Sequence, residues 1–158
     1  ILIDAGSVES SAETISKYVN QYCTDGKFEY VIATHAHKDH IAGFVGTNKV
    51  QGIFERYKCD NIIQFAKTDS TTKLYNNYVA AVNKQKDDGA NVYTALQCWN
   101  NKDGAQRKYD LGSGVTMEVL YQKYYEKKAS TENDYSVCML FSQGNNHYLF
   151  TLLFNPHS

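Results

Sequence analysis

Several things are missing from this sequence, and each absence closes off a class of function. No two cysteines stand as C-x-x-C. Cys23, Cys59, Cys98 and Cys138 are scattered along the chain, which excludes a zinc knuckle and a dithiol redox motif. Two disulfides are arithmetically possible, but a domain of this size needs no staples, and four separate buried thiols are the expectation. No stretch approaches the ~18 consecutive apolar residues of a membrane-spanning helix. An excess of one charge is missing too: 16 Lys and Arg face 17 Asp and Glu, for a formal net charge of −1. Nothing electrostatic therefore argues for nucleic acid, and the charge names no partner protein. Lys123, Lys127 and Lys128 come nearest to a basic cluster, but Glu126 interrupts them, as on a solvated face. No repeat, low-complexity tract or linker divides the chain. No signal peptide precedes Ile1, and the chain opens without Met, directly in a strand. A cut or processed chain is expected, with cytoplasmic and secreted locations both left open.

What is present is one domain's worth of chain, residues 1–158, with 42% hydrophobic and 21% charged residues, enough to bury a core. Ile1 to Asp4 reads as a short buried strand, with Ala5 and Gly6 turning out of it. Ser10 and Ser11 offer N-caps for a helix whose Ile15, Tyr18, Val19 and Tyr22 fall on one face, and Gly26 helps to end it. Tyr30 to Ala33 is a second strand, a helical turn follows from His40 to Val45, and Asn61 to Ala66 is a third strand. Asp69 or Ser70 caps a long helix through Leu74, Tyr75, Tyr78, Ala81 and Val82, with Gly89 just past its end. Tyr75 and Tyr78 read as packing aromatics. The remainder turns to β character, with strands over Val92–Leu96, Arg107–Leu111, Val115–Leu120, Val137–Ser142 and Tyr148–Phe154. Trp99 to Gly104 reads as a polar loop, and Gln143-Gly144-Asn145-Asn146 as a hairpin turn. Strand, helix, strand in this order predicts an α/β architecture.

The chemistry concentrates between Tyr30 and Phe44, in YVIATHAHKDHIAGF. His35, His37, Asp39 and His40 give H-x-H-x-D-H directly after a buried strand. Imidazole and carboxylate are the ligands that borderline divalent metals prefer, so these four groups could supply most of a coordination shell. The pattern arises by chance in roughly a few of ten thousand such chains. The alternative is a solvated loop with packing histidines. His35 and His37 flank small Ala36, so in an extended loop both rings point one way, toward a first ion. Asp39 and His40 come at the next turn, better placed for a second. Asp4 reads either as a turn former or as an acceptor that orients a ligand histidine. His147 reads as an exposed strand residue, and His157 as a frayed terminal one.

Thr34, His35, His37, Asp39 and His40, with Asp4 in ILIDAG, resemble the T-H-x-H-x-D-H signature of the metallo-β-lactamase superfamily. YDLGSGVTMEVL from Tyr109 and ENDYSVCMLF from Glu132 resemble later segments of its branch containing the hydrolase domain of competence (DNA-uptake) proteins. That resemblance implies an αβ/βα sandwich, incomplete here: the strand that usually precedes ILIDAG and the C-terminal half of the fold lie outside these residues. It implies one or two ions of Zn²⁺, or alternatively Mn²⁺ or Fe²⁺, on His35, His37, Asp39 and His40, with Asp4 and Thr34 supporting them. It implies hydrolysis by a metal-bound hydroxide, with Asp39 orienting the water, on small-molecule or nucleic-acid-like phosphodiesters rather than β-lactams. The branch usually continues T-G-D after its last strand, the Asp bridging both ions. Here Thr151 is followed by Leu152 and Leu153, and leucine cannot ligate a metal. The rival expectation is a non-catalytic metal-binding or interaction domain that keeps the fold without turnover.

Overall fold

The central strands of this protein become apolar on both faces toward their carboxyl ends, and that decides its layering. The structure, a computed structural model, describes residues 1–151. Its first half alternates strand and helix: β1 (Leu2–Ile3), α1 (Ser11–Val19), β2 (Lys27–Ala33), α2 (Lys38–Ile41), α3 (Ile53–Arg56), β3 (Lys58–Gln64), α4 (Lys73–Asp87), β4 (Asn91–Thr94) and α5 (Ala95–Asn100). A 3₁₀ turn, Ala42–Phe44, continues from α2. β1 to β4 pair in sequence order, all parallel, with Ala33 opposite Gln64 and Gln64 opposite Thr94. Val31, Ile32, Ala33, Ile62 and Ile63 are fully buried, as strands covered on both faces require. Among the described residues β1 pairs only with β2 and forms an edge, where the sequence predicts an unpaired N-terminal edge.

The second half is an antiparallel meander: β5 (Lys108–Asp110), β6 (Val115–Leu120), β7 (Cys138–Gln143) and β8 (Asn146–Phe150). Met117, Val119 and Met139 from this sheet join the core built by β2 and β3. Tyr30 of β2 meets Tyr109 of β5 edge to face, with ring centroids 5.4 Å apart. The architecture is α/β, with one parallel and one antiparallel sheet sharing a core. No helix among the described residues is long and apolar enough to cross a membrane.

Several expectations need correction. α1 buries Ala12 and Ser16, with Ile15 and Val19 beside them, whereas Tyr18 and Tyr22 are 63% and 70% exposed and pack on each other. The buried stripe is rotated from the one drawn through the tyrosines, because small residues let the helix lie close. Ser10 occupies the N-cap but its side chain makes no capping bond. α4 is capped by Thr72, whose Oγ1 accepts from Tyr75 N at 3.1 Å, rather than by Asp69 or Ser70. Leu96 and Trp99 lie in α5, not in a strand or a loop. Thr94 Oγ1 accepts from Gln97 N at 3.3 Å, and Gln97 Oε1 from Thr94 N at 2.9 Å, a reciprocal pair that turns the chain from β4 into a helix. All four cysteines are free, but only Cys59 and Cys98 are buried, and Cys23 and Cys138 are half-buried. The expected strand end at Phe154, the Leu152-Leu153 pair and His157 lie outside the described residues.

Candidate functional site

β1 and β2 deliver their carboxyl ends side by side, and the site is built in the gap. Asp4 N donates to Ile32 O at 2.8 Å, extending the ladder one residue beyond β1. Asp4 itself adopts φ 56°, a left-handed conformation that Asp tolerates better than most residues. Its carboxylate is turned onto the histidine loop. Oδ1 accepts from Thr34 N at 2.8 Å, and Oδ2 accepts from Thr34 Oγ1 at 2.7 Å and lies 2.7 Å from His40 Nδ1. One half-buried carboxylate therefore fixes both ends of the loop that carries the motif.

α2 supports the other side. His37 is its N-cap, with extended φ and ψ, and His37 O accepts from His40 N and Ile41 N. Asp39 and His40 consequently stand on the first helical turn. Ala5 N donates to His40 O at 2.9 Å. Gly43 packs so tightly here that a Cβ on it would collide with the Ala5 carbonyl. The residue that leads into β7 also ties to the site, Val137 N donating to Thr34 O at 3.0 Å.

The three rings come together in this frame. His35 is only 2% exposed. Its Nδ1 lies 3.2 Å from Thr34 Oγ1, and its Nε2 lies 3.1 Å from His37 Nδ1. The His40 ring lies against it, with centroids 4.0 Å apart, so His40 is not set off toward a separate pocket. With Nδ1 on Asp4, His40 has Nε2 left for another partner, and Asp39 Oδ2 stands 3.5 Å from it. Asp39 and His37 are exposed, at the mouth of the site. Burial pushes the His35 pKa down to about 4, with the neighbouring His40 and His37 pushing the same way; Asp39 and the Asn133 side chain pull less strongly upward. His35 is therefore neutral near pH 7.

The chain matches no protein-family model, and no curated protein.

These contacts are pairwise. Among the described residues no three His, Cys, Asp or Glu side chains form a ready-made group able to hold a metal ion. The donor chemistry nonetheless fits one. Two nitrogens bound to one tetrahedral zinc at ~2.0–2.1 Å lie ~3.3 Å apart, and the 3.1 Å between His35 Nε2 and His37 Nδ1 is close to that. His35 has its Nδ1 on a hydroxyl and His40 its Nδ1 on a carboxylate, the outer contacts that orient imidazole ligands. Asp39, held by no buried contact, is free to turn toward either ring.

Asn133 is the neighbour that sequence reasoning missed. It comes from a 3₁₀ segment, Glu132–Tyr135, whose Glu132 Oε2 accepts from Asp69 N and whose Tyr135 hydroxyl donates to Asp69 Oδ2. In the sequence only its resemblance singles that segment out, and no periodicity marks it. His147 sits exposed on β8, its Nδ1 2.9 Å from Ser142 Oγ, as expected of a surface strand residue.

Proposed function

We propose that this protein is a metal-dependent hydrolase domain of metallo-β-lactamase type, acting on phosphodiester bonds. The single observation that carries the reading is the Asp4 carboxylate, which holds Thr34 and His40 while His35, His37 and His40 gather beside it. A half-buried carboxylate that spends both oxygens on loop and ring alike fits a site in which the ring's orientation matters. The αβ/βα sandwich belongs to the same reading, supported by the pairing of a parallel and an antiparallel sheet around one core.

His35 through Nε2, His37 through Nδ1, His40 through Nε2 and Asp39 would hold Zn²⁺, with Mn²⁺ or Fe²⁺ as alternatives. A divalent ion there would supply Lewis acidity and lower the proton affinity of water. The chain's own residues do the rest. Burial keeps His35 neutral and so able to offer a lone pair near pH 7. Thr34 Oγ1 donates to Asp4, so its oxygen is left to accept a hydrogen bond from His35 Nδ1–H, which directs the His35 lone pair to Nε2. Asp39, exposed and beside His40 Nε2, can accept a proton from an attacking water.

The second reading is a domain that binds metal or a partner without turnover. Hydrolysis of bis(p-nitrophenyl) phosphate and of a chromogenic β-lactam, each with Zn²⁺ and with Mn²⁺, separates the possibilities. The hydrolase reading predicts turnover of the phosphodiester that Asp39→Ala abolishes. A β-lactam rate well above the phosphodiester rate would overturn the substrate assignment, and turnover of neither would favour the non-catalytic domain.

A further inference from the structure

We propose that a cleft at the opposite end of the parallel sheet from the histidine loop binds a small polyhydroxylated molecule carrying one anionic group, a sugar phosphate being the simplest example. The cleft lies at the amino ends of β2 and β3, where α1 gives way to the loop before β2, and is an open groove of about 430 Å³. That volume falls within the ~300–1,000 Å³ of small-molecule clefts and far exceeds the needs of a bare ion. β2 is seven residues long, so the cleft and the histidine loop are separated by a strand of ~23 Å. Nothing in this inference depends on a metal at the loop.

Arg56 is the charged group of the cleft. Its Nε donates to Gln51 O at 2.8 Å, which anchors the guanidinium and leaves both terminal amino groups for a ligand. No carboxylate pairs with Arg56 among the described residues, and none of the described residues lining the cleft is acidic. Asp25 stands beside the cleft, its Oδ1 accepting from Lys27 N at 3.1 Å and lying 3.7 Å from the cleft-lining Cys23 Sγ. A planar guanidinium with its terminal donors unspent is suited to a phosphate or carboxylate. The negative end of the α1 dipole opposes an anion here, but it amounts to only about half a charge against the full charge of Arg56.

The rest of the lining suits hydroxyl groups. Tyr57 donates its hydroxyl to Asn20 Oδ1 at 2.6 Å, so the phenol oxygen can still accept and the Asn20 amide can still donate. Thr24 contributes a hydroxyl at the rim. Ser16 is the most telling member. It lines the cleft and is 5% exposed, and its Oγ has no hydrogen-bond partner among the described residues. An unsatisfied buried hydroxyl is unfavourable unless something enters to meet it. Burying Ser at this position of α1, where Ala would pack as well, makes sense if the hydroxyl serves a bound molecule.

Titration calorimetry in the presence of EDTA tests the site. Ribose 5-phosphate, ribose, inorganic phosphate and gluconate are the probes. Ribose 5-phosphate should bind, with ribose and phosphate each weaker by at least about tenfold, since each lacks half of the recognised chemistry. Arg56→Gln should weaken binding about tenfold or more. Ser16→Ala should weaken it several-fold while leaving the melting temperature unchanged or raised, because the substitution removes an unsatisfied group; a merely structural serine would not give that combination. Gluconate binding in place of ribose 5-phosphate, with the same dependence on Arg56, would support the site and assign its anion as a carboxylate. Absence of binding by both, or binding indifferent to both substitutions, would overturn the proposal.

Discussion

His35 makes the stability of this protein depend on pH in a direction that can be worked out. Unfolded, it takes up a proton below about pH 6.5; folded, burial and its neighbouring histidines hold its pKa at about 4. Between those values the unfolded chain binds more protons, so this contribution is fully present above about pH 6.5 and is lost as pH falls toward 4. Its size is at most ~3 kcal/mol. Urea denaturation in EDTA, compared between the parent and His35→Asn, isolates it. The parent should lose more stability than the variant between pH 6.5 and 4, and equal losses would contradict the burial of a neutral ring. Asp4 offers a second test at the same scale. Asp4→Asn keeps a residue that tolerates φ 56°, so backbone strain is not introduced. The amide nevertheless cannot accept from Thr34 N, Thr34 Oγ1 and His40 Nδ1 together. It should cost ~1–3 kcal/mol in urea denaturation.

Elements whose signals are local were legible in the sequence, and those decided by packing were not. β6 is found at Val115–Leu120 as read, because buried Met117 and Val119 alternate with half-buried neighbours. The turn at Gly144-Asn145 joins β7 to β8 as read, with Gly144 at φ 56°, a conformation glycine adopts freely. The face of α1 was misread because two tyrosines weigh more in a hydrophobic pattern than Ala12 and Ser16, although close approach to the core requires the small residues. α5 was missed because Val92–Leu96 has strand composition, and only the reciprocal pair of Thr94 and Gln97 marks the change. At this scale Thr72→Ala should cost ~1 kcal/mol by removing the α4 cap, lowering the melting temperature by ~2–4 °C. Gly43→Ala should cost ~1–3 kcal/mol or more, because a Cβ there meets the Ala5 carbonyl. A fully stable Gly43→Ala protein would mean that the turn after α2 is not pressed against β1.

For the molecule as a whole, the α/β class followed from the order of strands and helices, but the sheet arrangement did not. Nothing in the pattern of β2 states that Val137 will donate to Thr34 O, because that bond is made by a segment a hundred residues away. The site was legible to the extent that it is local: the spacing of His35, His37, Asp39 and His40 is enough to gather the rings once a strand and a helical turn hold the two ends. Its long-range supports, above all Asn133 and the Tyr135–Asp69 bond, belong to tertiary structure. The central claim is that these rings hold a metal, and the most direct test is the metal content of protein purified without chelator and equilibrated with Zn²⁺. The parent should retain about one ion per chain or more, and His35→Ala with His37→Ala should retain none. A double variant that keeps as much metal as the parent, or a parent that holds none, would contradict the account.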